Sequence, residues 1–339
     1  MSVQAQLGES KAEPVKASLQ PLLDLVKSDL DDTNQIIIDR MHSDVELIPT
    51  LARHLIAAGG KRLRPVLTLG AAKLCGYDGE RAKKLAACVE FIHTATLLHD
   101  DVVDESDLRR GNETANVLWG NQASVLVGDF LFSRSFQLMV EDGSLDVLRV
   151  LSNASAVIAE GEVLQLMNVG NVDLTEESYF QVIAAKTAAL FAAACQVGAL
   201  VADRNDKEIS ALETYGNDLG IAFQLIDDAL DYSAEEKSLG KAVGDDFREG
   251  KMTLPILLAY RKSDGEERKF WKRVIEDEQQ KGDLEKALEL IKKHKTLDDT
   301  FTYARRYGAS AKAALDIFDD SDAKSALINA VDFAIERAY

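Results

Sequence analysis

Proline and glycine are scarce in this 339-residue chain, 5 and 21 respectively, which excludes a collagenous or low-complexity disordered protein. Cysteine is scarcer still. Cys75, Cys88 and Cys195 are too few and too scattered for a disulfide framework or a CxxC metal site, and each sits in an apolar stretch, so they read as buried thiols in a reducing compartment. Alternating Val/Ile/Thr runs are few, so no substantial sheet is expected. No apolar run reaches the ~18 to 20 residues a bilayer span needs, since residues 188–202 are interrupted by Gln196. The opening MSVQAQLGESKAEPV lacks the basic start and apolar core of a signal peptide, and its Glu9 and Glu13 disfavour an organellar transit sequence. A soluble, cytoplasmic protein is expected. Basic charge is also in deficit: 39 Lys and Arg against 57 Asp and Glu leave a net charge of −18. That field repels nucleic acid and anionic lipid at long range, so neither is expected as the main partner.

What is present is apolar and helical. Hydrophobic residues make up 46% of the chain, and long Ala/Leu-rich stretches predict an all-α fold, a single large helical domain. A polar tail, 1–14, is expected to be disordered, with the domain spanning 15–339. Helical spacing runs over 15–56 with an interruption at 31–34, then over 66–74, 81–105, 115–119, 123–140, 145–168, 176–203, 206–233 and 254–262. Four further helices (266–280, 284–294, 297–318, 322–339) form an outer layer without a cluster of catalytic residue types. No period of 20 to 50 residues repeats, which disfavours a solenoid.

Two strings carry chemistry. HDDVVDESDLRRG, 99–111, places Asp100 and Asp104 four apart, on one helical face, with Asp101 about 100° round. Like charges at that spacing repel, and the preceding apolar run (Ala95, Thr96, Leu97, Leu98) implies a buried helix. Alone, the string is as consistent with an acidic, solvated helix end. It recurs, however: GIAFQLIDDALDY, 220–232, again ends an apolar helix in Asp227, Asp228 and Asp231, with Gln224 one turn earlier. If the two helices face one another they form a cage for hard divalent ions. Mg²⁺ is the natural occupant, because it takes one or two carboxylates and completes its octahedron with water and phosphate oxygens. A phosphate-bearing ligand is implied.

Basic residues supply the complement. Lys61, Arg62 and Arg64 lie in a Gly-rich loop, Arg109 and Arg110 follow the first cluster, Lys186 precedes Thr187, and Lys241 and Lys251 follow the second. Arg forks suit bidentate phosphate binding and Lys acts as a point charge. His93 lies seven residues before Asp100 on nearly the same face. A lone His there is more often a core residue, but a phosphate contact is geometrically open. Other acidic pairs (Asp31-Asp32, Asp298-Asp299, Asp319-Asp320) lack basic partners in the sequence and read as solvated surface.

These strings (GGKRLRP, the E-x-x-H of Glu90 and His93, LLHDDVVDESDLRRG, the KT of Lys186, FQLIDDALD, LGK, and GDDFREGKMTLP) resemble, in order and spacing, the trans-prenyltransferases of the isoprenyl diphosphate synthase family. The resemblance implies that the helical domain is built around a central cavity, with Asp100, Asp104 and Asp227 as Mg²⁺ ligands, three ions per site, supported by Asp101, Asp228 and Asp231. It implies Arg109, Lys186 and Lys241 on an allylic diphosphate, farnesyl diphosphate being the expected primer. Lys61, Arg64, His93 and Arg110 would bind the diphosphate of isopentenyl diphosphate, and Lys251 adds to the substrate-binding set. Thr187 and Gln224 would place oxygen dipoles near the developing allylic cation. A homodimer is implied, as is transient membrane contact when a water-insoluble product leaves.

Shorter-product relatives carry a bulky aromatic four or five residues before the first aspartate, where this chain has Ala95 and Thr96. The resemblance therefore implies a long all-trans product of octaprenyl to decaprenyl class, destined for a quinone side chain. Phe132 and Phe136 on the next helix are candidate deeper walls; ordinary helix packing would explain all four residues equally well. A shorter-chain synthase and a class I terpene cyclase are the alternatives. A cyclase shares the first cluster but usually has Asn and Ser or Thr in the second.

Overall fold

The computed structural model describes residues 17–57, 62–109, 111–233 and 243–336. Lys61, Arg110, Lys241 and the expected tail lie outside them. Helices dominate: α1 (Gln20–Leu25), α2 (Lys27–Arg40), α3 (Leu47–Ala57), α4 (Leu63–Leu74), α5 (Glu80–Val103), α6 (Ala115–Trp119), α7 (Asn121–Asp142), α8 (Leu145–Asn168), α9 (Glu176–Val201), α10 (Asp206–Leu230), α11 (Asp245–Arg248), α12 (Leu254–Lys262), α13 (Gly265–Lys272), α14 (Asp283–His294), α15 (Thr296–Ala314) and α16 (Asp322–Glu336). Among the described residues the only strands are the two-residue arms of a hairpin, β1 (Leu108–Arg109) and β2 (Asn112–Glu113), antiparallel, with Leu108 opposite Glu113.

α9 is the axis of the fold. Its Ala/Val/Leu-rich sequence has no charged face after Lys186, so it is buried all round, against α10, α4, α8 and α5. Both α9 and α7 are long and apolar enough to cross a membrane by composition alone, but 72% of the α9 window is buried inside the protein. That is the property of a core helix. One hydrophobic cluster runs continuously from Leu19 to Ile335.

Two expectations differ in detail. The first helical segment breaks at Val26, not at 31–34. Asp31 pairs with Lys27 and Asp32 with Lys83, while the fully buried Thr33 hydroxyl donates to the Asp29 carbonyl at 2.7 Å. These polar residues are thus satisfied in the helix and do not end it. α4 begins at Leu63, not residue 66. Proline is tolerated in a first helical turn because its missing N–H has no partner there anyway, so Pro65 stays inside and Arg64 is carried on the helix.

Candidate active site

α5 and α10 both end in carboxylates, and neither has a basic residue in its last turn. The helix dipole puts negative partial charge at these same ends, so each aspartate cluster is disfavoured unless a cation compensates it. Asp100 and Asp104 from α5 and Asp227 from α10 line one cavity of about 980 Å³. Arg64, His93, Arg109, Lys186, Thr187 and Gln224 line it as well. Cationic and anionic residues predicted from separate strings, spread over 164 positions, therefore converge on a single space.

The six aspartates divide into two kinds. Asp101 is 1% exposed and turns away from the cavity; its carboxylate accepts from Arg109 Nε at 2.7 Å and Nη2 at 2.6 Å, anchoring the guanidinium that does line it. Asp228 is also buried, held by Tyr179 and Gln224. Asp231 accepts from the backbone N–H groups of Asp245 and Asp246, at 3.0 and 3.1 Å, and so caps α11. This leaves Asp100, Asp104 and Asp227 for the cavity.

Lys186 and Thr187 fall in a π-type turn, Ala184–Ala188, inside α9. Such bulges shift side chains off the regular helical register. The segment is clamped by close approach on both sides. A Cβ at Gly161 of α8 would come within 2.7 Å of Ala185 Cβ, and one at Gly220 of α10 within 2.6 Å of Ala188 Cα. Lys186 Nζ donates to Glu162 of α8 at 2.7 Å, and Arg64 Nη1 lies 3.2 Å from His93 Nε2.

Burial pushes the Asp100 carboxyl up to about 7; Lys186 opposes the shift, whereas Glu162 and Asp104 add to it. A carboxylate that is this costly to ionise gains most from a divalent ion. Asp100, Asp104 and Asp227 present hard carboxylate oxygens to the cavity. A divalent ion held by one or two of them would keep its other positions for water or phosphate, which fits Mg²⁺.

Several predicted residues take other places. Lys251 lies outside the large cavity, paired with Asp104 at 3.3 Å and Glu249 at 2.5 Å. Burial works against its charge, but the two carboxylates more than offset it and its pKa rises. It braces Asp104, which differs from a direct substrate contact. Ala95 is 1% exposed in core packing, while Thr96, one residue and about 100° further round, lines the cavity. Phe132 and Phe136 do not line it. α7 buries Val127, Leu131 and Leu138 on its inner face, so the neighbouring phenylalanines swing to the edge, stacked edge to face at 5.1 Å, with Phe136 40% exposed. Sequence reading overlooked Glu162 and Tyr179. Tyr179 lies seven residues before Lys186, a spacing that places two side chains near one helical face, but a tyrosine in an apolar helix reads as core.

A family profile described as polyprenyl synthetase matches residues 45–291. An octaprenyl diphosphate synthase from Escherichia coli is 47% identical over 320 residues, 94% of this chain and 99% of that one. The crystal structure of a polyprenyl synthase from Caulobacter crescentus, complexed with calcium and isoprenyl diphosphate, superposes with a TM-score of 0.92 at 52% identity, covering 96% of this chain and 100% of that one. A decaprenyl diphosphate synthase from Rhodobacter capsulatus gives 0.91 at 50% identity, with 95% and 100% coverage.

Proposed function

The chain belongs to the polyprenyl synthetase family and is a prenyltransferase, and from that premise we propose that it condenses isopentenyl diphosphate onto an allylic diphosphate, with farnesyl diphosphate as primer, giving an all-trans polyprenyl diphosphate of C40 to C50 length. The observation that carries this reading is the convergence of Asp100, Asp104 and Asp227 with Arg64, His93, Arg109 and Lys186 on one cavity. Asp100, Asp104 and Asp227 would hold Mg²⁺, three ions per site by family likeness. Bound Mg²⁺ supplies the positive charge that lets the diphosphate depart. Arg109 and Lys186 hold the leaving diphosphate, joined by Lys241. Arg64 and His93 hold the diphosphate of isopentenyl diphosphate, joined by Lys61 and Arg110.

Ionisation leaves an allylic cation, and the walls must stabilise it without offering water. Thr187 and Gln224 face the cavity with oxygen atoms suited to that task. The double bond of isopentenyl diphosphate then attacks, a proton passes to the departing diphosphate, and the product re-enters as the next allylic substrate. No protein nucleophile is required. Each added unit buries several CH₂ groups at ~0.8 kcal/mol apiece, so release of the finished chain is expected to limit turnover.

Apolar residues exposed on α7 and α8, among them Leu126, Val140, Leu145, Leu166 and Met167, support a homodimer that covers this face. The free, buried cysteines suit a cytoplasmic setting, and a prenyl donor of this length suits quinone side chains. The test is incubation of the purified protein with Mg²⁺, farnesyl diphosphate and labelled isopentenyl diphosphate, followed by chromatography. Elongation to C40 to C50 is expected; a cyclic hydrocarbon or a product ending at C20 would overturn the reading. Thr96→Tyr is expected to shorten the product. Ala95→Tyr should instead overpack the core and cost about 1–3 kcal/mol of stability.

A further inference from the structure

Tyr179 of α9 makes no contact with the large cavity, yet it begins a chain of hydrogen bonds that ends there. Its hydroxyl donates to Asp228 Oδ2 at 2.5 Å. The other carboxylate oxygen, Oδ1, accepts from Gln224 Nε2 at 2.8 Å. Gln224 Oε1 in turn accepts from the Thr187 hydroxyl at 2.8 Å. Tyr179 and Asp228 line only a smaller side cavity of about 170 Å³, whereas Gln224 and Thr187 line both spaces. The four residues thus connect the buried side to the reacting side.

The hydrogen bonds of this chain run in one direction. Tyr179 and Gln224 both donate to the Asp228 carboxylate, so the amide face of Gln224 turned toward it is its NH₂. Its carbonyl oxygen is then turned toward Thr187. The single Thr187 proton is committed to that oxygen, which leaves the threonine lone pairs for the cavity. At the far end the phenol's own proton goes to Asp228 Oδ2. Asp228 is 3% exposed and Tyr179 4%, so bulk solvent has little access to these groups.

We propose that Tyr179 is a positioning residue that fixes the direction of this chain, so that oxygen lone pairs and not N–H protons meet the cation formed at the allylic carbon. The inference rests on the prenyl-transfer reading above. Reversal of the Gln224 amide would turn its NH₂ toward Thr187 and bring donor hydrogens, with their positive ends, to the site of developing positive charge. Tyr179 acts through Asp228: with one oxygen occupied by the phenol, the carboxylate is held in the rotamer that presents the other to Gln224.

The experiment uses the full chain with Mg²⁺, farnesyl diphosphate and isopentenyl diphosphate. Tyr179→Phe keeps the ring and loses the donor; kcat is expected to fall about tenfold with KM for both diphosphates held within about twofold. Asp228→Asn should do more, a loss of about a hundredfold. The phenol claims the new carbonyl oxygen, the new NH₂ faces Gln224, and the whole chain reverses. Combining the two changes frees the introduced amide to flip back, so the double variant is expected to be faster than Asp228→Asn alone. A purely structural role predicts the opposite order, with losses that accumulate and with KM moving alongside kcat. An unchanged kcat in Tyr179→Phe, or a double variant no faster than Asp228→Asn, overturns the proposal. Should Tyr179→Phe fail to fold, Asp228→Asn carries the test: kcat is expected to fall with the same Mg²⁺ dependence, and a loss cured by added Mg²⁺ overturns it. A wild-type chain that does not elongate at all would sink the prenyl-transfer reading itself, a separate outcome.

Discussion

The ends of α5 and α10 carry nearly the same string, an aspartate pair followed by a third aspartate, yet they deliver different numbers of carboxylates to the cavity. α5 contributes two, Asp100 and Asp104; α10 contributes one, Asp227. In both clusters the middle aspartate turns inward and organises another functional residue, Arg109 for Asp101 and Gln224 for Asp228. The clusters part company at the third position. Asp104 is kept at the cavity by Lys251, 3.3 Å away. Asp231 has been taken by the backbone of α11, whose two N–H groups it accepts. Repetition of a motif therefore does not mean repetition of a role. Whichever group lies beyond the helix end, a lysine or a helix N-terminus, decides what the last carboxylate does.

The largest effect expected from this comparison is on the reacting side. Asp100→Ala and Asp227→Ala should each lower kcat by about 10³-fold, the scale of losing one preorganised electrostatic partner of the transition state. Raising Mg²⁺ in a steady-state assay should not restore the rate, and equal activity in either variant would break the division of roles.

Next comes Asp101→Ala, which leaves Arg109 without its anchor. Because the Arg109 side chain is one third exposed, it can resolvate, and the stability loss should fall below the ~3–5 kcal/mol of a fully buried pair. The main signature is a raised KM for the allylic diphosphate with kcat less affected. A variant with an unchanged KM would separate Asp101 from Arg109.

Asp231→Ala should behave as the loss of a helix cap, costing about 1 kcal/mol in thermal or denaturant unfolding. Its activity should fall far less than that of Asp104→Ala. If the two lose activity equally, the proposed asymmetry between the clusters is wrong.

The smallest effect belongs to a carboxylate remote from both clusters. Hydrogen bonding to Lys293, and then to His294, holds Glu267 at about 2. A depressed folded pKa means that its contribution is complete above the ordinary value of 4.5 and is lost as pH falls from there to about 2. Unfolding titrations across that window should show a shallower slope for Glu267→Gln than for wild type, while activity at neutral pH stays the same.

Legibility of the site followed chemistry type. Asp100, Asp104 and Asp227 were readable because charged residues ending an apolar helix conflict with burial and so announce a ligand. Arg109 and Lys186 were readable for the same reason, as positive charge in a chain of net −18. Tyr179 was not, because its ring satisfies core packing and its hydroxyl adds nothing to a hydropathy pattern. Glu162 was hidden because a lone acidic residue in a helix is the pattern of an exposed face. Ala95 and Thr96, adjacent in sequence, read as one floor; the 100° step of the helix separates them into core and cavity. The polar stretch 31–34 reads as a break, but lysines on the same and a neighbouring helix pair with Asp31 and Asp32 and keep the segment helical.

By itself the sequence determined the helical class, the two aspartate-tipped helices, the phosphate-binding residue types and the family, because periodicity and charge-burial conflict are local properties of a chain. Tertiary structure alone decided which aspartates face the cavity, that Lys251 braces Asp104, and that Asp228 links a tyrosine from α9 to Gln224. Those outcomes depend on which groups from distant segments arrive beside each carboxylate, and hydrogen-bond direction exists only once both partners are in place.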